Sequence, residues 1–218
     1  NNIIGGVPGD VLGMLSDLCN KLKHGSITPE ELENFLNRRN PFEGRQAVLA
    51  QWQALYRELG IAVDLGGIKI PAKRRGFDRL IVVPRGIKIQ QAYEACASRF
   101  PCWKWTGEDL DAVVTHNDRD PDRDGAYAIW VRERVEADEE LKNKSANLLR
   151  ERNVPGVTLL ERLLYKLKFF KETGRHLDVE NVTLCSGSRY RDGRVPGVYF
   201  DEFNGKVHVD WYYPGGAR

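Results

Sequence analysis

Apolar residues recur at helical spacing three times before residue 60. Val11, Leu15, Leu18 and Leu22 form the first stripe, with Asp10 placed to cap it and Gly25 where a helix-ending glycine belongs. The second is short. Thr28, Pro29 and Glu31 make a capping box with proline at the first helical position, and Leu32, Phe35 and Leu36 supply the face expected to be buried. Pro41 ends it, because the residue before a proline is pushed out of helical geometry. The third spans about 45–59, with Leu49, Trp52, Leu55, Tyr56 and Leu59 on one side.

The pattern changes after Gly60. Extended segments follow, the clearest being 79–83 with its apolar run Leu80-Ile81-Val82-Val83. A helix comes next, with Ile89, Ala92, Tyr93 and Cys96 inward. "PCWKWT" reads as a short strand, and "AYAIWVRER" as another, with Tyr127, Ile129 and Val131 on one side and Ala128 and Trp130 on the other. "EADEELKNKSANLLRER" starts acidic and ends basic, as a helix dipole favours. Thr158 and Glu161 form a second capping box, opening an amphipathic helix built on Leu160, Leu163, Leu164, Leu167 and Phe170 and closed by Gly174. Strands are expected at 182–185, 197–201 and 207–213, the last two joined by an Asn204-Gly205 turn.

These elements describe an α+β fold. A flexible tail (1–9) precedes a helical N-terminal subdomain (10–60). An α+β domain (61–218) follows, with a mixed or antiparallel sheet packed with helices and a C-terminal β-hairpin. The 41% hydrophobic and 29% charged residues are ordinary globular composition. A net charge of +2, from 33 basic and 31 acidic residues, argues against a dedicated nucleic-acid binder, although local patches remain open. Cys19, Cys96, Cys102 and Cys185 form no C-x-x-C pair, so they read as structural thiols in a reducing cytoplasm. No apolar stretch is long enough for a transmembrane helix, and the first residues do not resemble a secretory signal.

The densest candidate chemistry is "THNDRDPDRDG", residues 115–125. Asp120, Asp122 and Asp124 before Gly125 satisfy the first half of a calcium loop, and alternating carboxylates suit a hard cation. The twelfth position is Val131 rather than the bidentate glutamate, and a strand follows rather than a helix. A solvated turn, its carboxylates paired with neighbouring Arg119 and Arg123, is the plainer reading. His116 beside Asp118 has the makings of a general base and its orienting carboxylate. Cys185, Ser186 and Ser188 offer nucleophile chemistry outside the usual strand–turn–helix elbow.

Basic residues supply the other constellation. "SGSRYRDGRVPG" can form a backbone nest around an anion, with Ser188, Arg189, Arg191 and Arg194, or a hairpin loop turning at Asp192-Gly193. "PAKRRGFDR" adds Lys73, Arg74, Arg75 and Arg79 around Phe77, a composition that suits phosphates and bases if exposed together.

The strings "FDRLIVV", "NDRDP", "YAIWVRERVEADEELKNKSAN", "TLLERLLYKLKFFKETGRHLD" and "NVTLCSGSRYRDGRVPGVYF" together resemble an uncharacterised family of bacterial proteins from candidate-phylum lineages. The resemblance covers most of the chain and implies a bacterial, intracellular protein; it carries over no activity or site residue. Two functions are expected. One is a non-enzymatic binding or accessory module for a protein or nucleic-acid partner, without membrane or cofactor. The alternative is a small metal-assisted hydrolase using residues 116–124 and a divalent cation.

Overall fold

The computed structural model describes residues 8–38 and 43–216. Three helices open the chain: α1 (Gly9–Lys23), α2 (Pro29–Leu36) and α3 (Glu43–Glu58). Next come β1 (Arg79–Val83), α4 (Ile89–Ala97), β2 (Cys102–Lys104), α5 (Leu110–Val113), β3 (Val114–Asn117) and β4 (Tyr127–Val131). Helices α6 (Ala146–Glu151) and α7 (Leu159–Thr173) lead to β5 (Thr183–Leu184), β6 (Ser188–Tyr190), β7 (Val195–Asp201) and β8 (Lys206–Tyr212). The strands form three small sheets: a β1–β4 ribbon, a mixed sheet ordered β2-β8-β7-β5, and a β3–β6 ribbon. The fold is α+β, with β7 and β8 as an antiparallel C-terminal hairpin and β2 parallel to β8.

Helix α7 is the centre of this arrangement. Both halves of the Thr158–Glu161 capping box are formed, and Gly174 ends the helix at φ 67°, a left-handed cap that glycine adopts without steric cost. The expected amphipathic helix is buried on all sides instead. Every residue from Leu159 to Lys168 is buried, including Glu161, Arg162, Lys166 and Lys168. Helix α4 packs against it, β1 and β7 contact it, and the apolar side chains form one continuous core.

Burying charges requires partners, and Asp178 is the chief one. It stands at φ 55°, a left-handed position that aspartate tolerates better than most residues. Arg162 grips its carboxylate through Nη2 and through Nε at 3.0 Å, Thr183 donates at 2.6 Å, and Lys166 Nζ lies 3.4 Å away. Lys166 also donates to the Leu177 carbonyl. Burial pulls the Lys166 ammonium below its ordinary range, Asp178 opposes that shift, and Arg162 adds to it.

Helix α3 covers the outer edge of β1. Trp52 Nε1 donates to the Leu80 carbonyl at 3.1 Å and the Tyr56 hydroxyl to that of Val82 at 2.6 Å. Helices α1 and α2 behave differently. The Thr28 box forms, but α1 starts at Gly9, with Pro8 in the cap position and Asp10 in the first turn. No α1 residue is buried, and Phe35 (64%) and Leu36 (70%), expected inside, are exposed. An apolar stripe says which face favours burial, not whether another element covers it. Of the tail expected at 1–9, Gly9 opens α1, and residues 1–7, like Pro41, lie outside the described residues.

Two further expectations are corrected. The segment 136–152 is not one helix: a 3₁₀ turn at Glu139–Leu141 and α6 are separated by Asn143 at φ 60°, with Ser145 capping α6. Residues 114–117 and 188–190, read as loop, pair as β3 and β6. The Asp192-Gly193 turn forms beside β6, with Gly193 at φ 84°. No described helix is long and apolar enough to cross a membrane.

Two outcomes test this core. Asp178→Asn keeps a residue that accepts left-handed geometry but strands two buried cations, so it should cost about 3–5 kcal/mol in urea unfolding at neutral pH. A loss below about 1 kcal/mol, the value of an exposed pair, would rule out this role for Asp178. His176 stacks on Phe200 at 4.0 Å and Phe170 at 4.9 Å, and burial, then Lys166, lowers its pKa from 6.5 to about 4. The unfolded chain therefore binds the extra proton between those values, and stability should fall as pH drops through that window. His176→Phe should flatten that part of the curve in denaturation midpoints measured from neutral pH downward.

Candidate functional site

The acidic loop after β3 is tied up by its own atoms. Asp120 Oδ1 accepts the Asp122 amide at 2.8 Å, and Asp124 Oδ2 accepts the Asp120 amide at 2.9 Å. Arg123 chelates Asp124 with two 2.7 Å bonds, and Lys88 pairs with Asp122. Arg123 first, then the Asp120 amide, draws the Asp124 carboxyl down to about 2. No three metal-ligating side chains converge among the described residues. His116 Nε2 lies 3.2 Å from Asp118, both exposed. Arg119 does not pair locally as expected. It reaches across to Glu161, with bonds of 2.6 and 2.8 Å, and donates to the Gly156 carbonyl at 2.6 Å.

The basic residues are spread over several environments. Lys73 pairs with Asp78, Arg79 with Glu133 and Glu172, Arg191 with Glu108, and Arg194 with Asp192. Arg75 is exposed. Arg194 also lies between Trp211 and Trp105, at 4.0 and 4.9 Å from their ring centroids. Ser188 is buried, accepting the Leu159 amide at 2.9 Å and donating to Asn117 at 2.6 Å, so it ties β6 to the start of α7. Arg189 is buried as well. Its Nη1 donates to the carbonyls of Ser186 and Ser188, its Nη2 bonds nothing among the described residues, and burial, then Arg150, lowers its pKa. Cys185 is buried, and that burial holds its thiol far above the ordinary range.

A pronounced concavity lies beside these residues. A cavity of about 540 Å³ opens between the β1–β4 ribbon, α7, β5 and the segment that follows β4. Its apolar surface comes from Ile81, Ile129, Val131, Tyr165, Val182 and Leu184. Arg74, Arg132, Arg134, Lys142 and Lys144 bring cations to it. Phe77 holds two of them, with the Arg74 and Arg132 guanidinium carbons each 4.4 Å from its ring centroid. Arg134 is committed to Glu140, and Arg132 lies near Asp138 at 3.2 Å. Arg74 has no carboxylate partner among the described residues. Glu136 braces one wall by accepting the amides of Val179, Glu180 and Asn181 at 2.9–3.2 Å.

The chain matches no family model, no curated protein and no solved structure. Function therefore has to be argued from the site, and a cavity of this size, largely apolar with a few convergent charges, has the form of a ligand pocket. Of the candidate site residues singled out from sequence, Arg74, Arg119 and Ser186 line it. Arg132, Arg134 and Glu136 follow a strand directly, where alternating charge reads as surface. The one local signal was charge inside a leucine-rich helix, at Arg162.

A backbone crossing shapes the wall beside Arg119. A Cβ on Gly156 would sit 1.9 Å from Ser186 Oγ and 2.9 Å from the Gly187 nitrogen, and one on Gly187 would meet the Gly156 carbonyl at 2.9 Å. Gly187→Ala should therefore force the two segments apart and cost about 1–3 kcal/mol in thermal or urea unfolding. A neutral result would mean the crossing has slack.

Proposed function

We propose that the protein is a binding module and that its partner engages the cavity between β4, β5 and α7. The observation that carries this reading is the cavity itself: about 540 Å³, apolar within, and edged by guanidinium and ammonium groups that outnumber the carboxylates of Glu136, Asp138 and Glu139. Such a surface favours a ligand with an apolar body and negative charge. A protein segment fits better than nucleic acid. Most of the basic side chains that would contact phosphates already hold carboxylates, as Arg79, Arg191 and Arg194 do. The same reading puts the module in a bacterial cytoplasm, in keeping with four free thiols and with the family that the sequence resembles.

An anionic aromatic dye, 1-anilinonaphthalene-8-sulfonate, tests the site without knowledge of the partner. It should bind the folded protein at one saturable site, more weakly at high salt. Val182→Glu, which sets a carboxylate in the apolar wall, should weaken it about tenfold or more, roughly the 1.4 kcal/mol that one repelled charge supplies. Equal binding by a variant with an unchanged melting temperature would place the site elsewhere.

A further inference from the structure

Antiparallel pairing turns the N–H and C=O groups of alternate residues away from the partner strand. On β1 the outward residues are Leu80 and Val82, whose carbonyls are taken by Trp52 and Tyr56. Their register partners on β4 are Trp130 and Ala128, which therefore present backbone groups to the far edge of the ribbon. Nothing among the described residues bonds those groups there. Strand β5 has a second such edge. Thr183 pairs with Val198, and the Cys185 amide bonds the Pro196 carbonyl, so Val182 and Leu184 face away from β7. Of their outward groups only the Leu184 carbonyl is used, by the Ser186 amide. Trp130, Val182 and Leu184 all line the same cavity.

Resting on the cavity as the binding site, we infer that its occupant is an extended segment of another protein, alternating apolar and acidic side chains, that adds as a strand to the open edge of β4. Unpaired backbone donors and acceptors recognise an extended main chain, and the pockets beside them select its alternate side chains. Strand geometry, about 3.3 Å of rise, 4.8 Å between strands and 10 Å between layers, gives about 160 Å³ per residue, so the cavity holds roughly three or four residues. Apolar side chains meet Ile129, Val131 and Leu184, while acidic ones meet Arg74 and Lys144, which hold no carboxylate among the described residues, the Lys144 ammonium donating to the Glu140 carbonyl. The β1 edge is closed by α3, so β4 is the side of the ribbon left to receive a strand.

The test is selection of a displayed library of random peptides on the whole protein, followed by amide exchange with a selected peptide bound. The inference expects selected sequences that alternate apolar and acidic residues, with slowed exchange at Ala128 and Trp130. Methylating alternate backbone nitrogens of the peptide should weaken it about tenfold or more, the effect of losing two backbone hydrogen bonds. Val182→Pro, which removes an N–H that bonds nothing in the free protein, reports whether the β5 edge takes part. If that variant does not fold, the methylated peptide still decides. Equal binding of the methylated peptide, or unchanged exchange at Trp130, overturns strand addition while leaving the cavity as the site. No selected peptide alongside intact dye binding has the same meaning, whereas loss of both removes the cavity reading too. Exchange at Trp130 that slows with protein concentration alone would make a second copy of the chain the occupant and overturn the partner assigned here.

Discussion

A carboxylate in the core, Asp178, holds together parts of the chain that share no local signal. Its side chain receives Arg162, Lys166 and Thr183. Its amide donates to the Val135 carbonyl at 2.9 Å, and its carbonyl accepts the Phe200 amide at 2.7 Å. One residue thus joins the central helix, the four-stranded sheet and the segment behind β4. Attraction between unlike charges is much stronger in a dry interior than in water, and so is the penalty for an unmatched charge. The position of α7 is therefore tied to Asp178. A helix that buries Arg162 and Lys166 is tolerable only where this carboxylate meets it.

Glu161 extends the same logic to the helix N-terminus. It closes the capping box through the Thr158 amide and also receives Arg119 from the acidic loop. The loop that looked most like a metal site is, through this arginine, a strut between β3 and the start of α7. Its own aspartates are spent on turn amides and on Arg123 and Lys88. What the two charged junctions leave between them is the cavity. Its walls are set by Glu136, by the Gly156–Gly187 crossing and by the ribbon. Its cations are held at the surface by Phe77 and by partial pairing with Asp138 and Glu140.

The ribbon's two edges explain why binding is a natural use for such a scaffold. Indole and phenol groups of α3 satisfy one edge and protect it from unwanted pairing. The other faces a recess with apolar surface and an excess of positive charge. Its backbone groups are therefore both available and selective, a combination found in domains that recognise peptides in extended form.

Local chemistry determined much of the fold. Both capping boxes, the glycine end of α7, the apolar run of β1 and the Asn204-Gly205 turn formed as the sequence indicates, because each depends on residues within a few positions of one another. Tertiary structure decided what those elements met. Strands β3 and β6 carry weak strand signals and exist through pairing with each other across some seventy residues. The stripes of α1 and α2 look like core but are at most half-buried, while Arg162 and Lys166 of α7 look like surface but are buried against Asp178. The cavity was the least legible feature. Its lining is gathered from segments scattered between Pro71 and Ser186, and no periodicity or motif records which distant residues will share a wall.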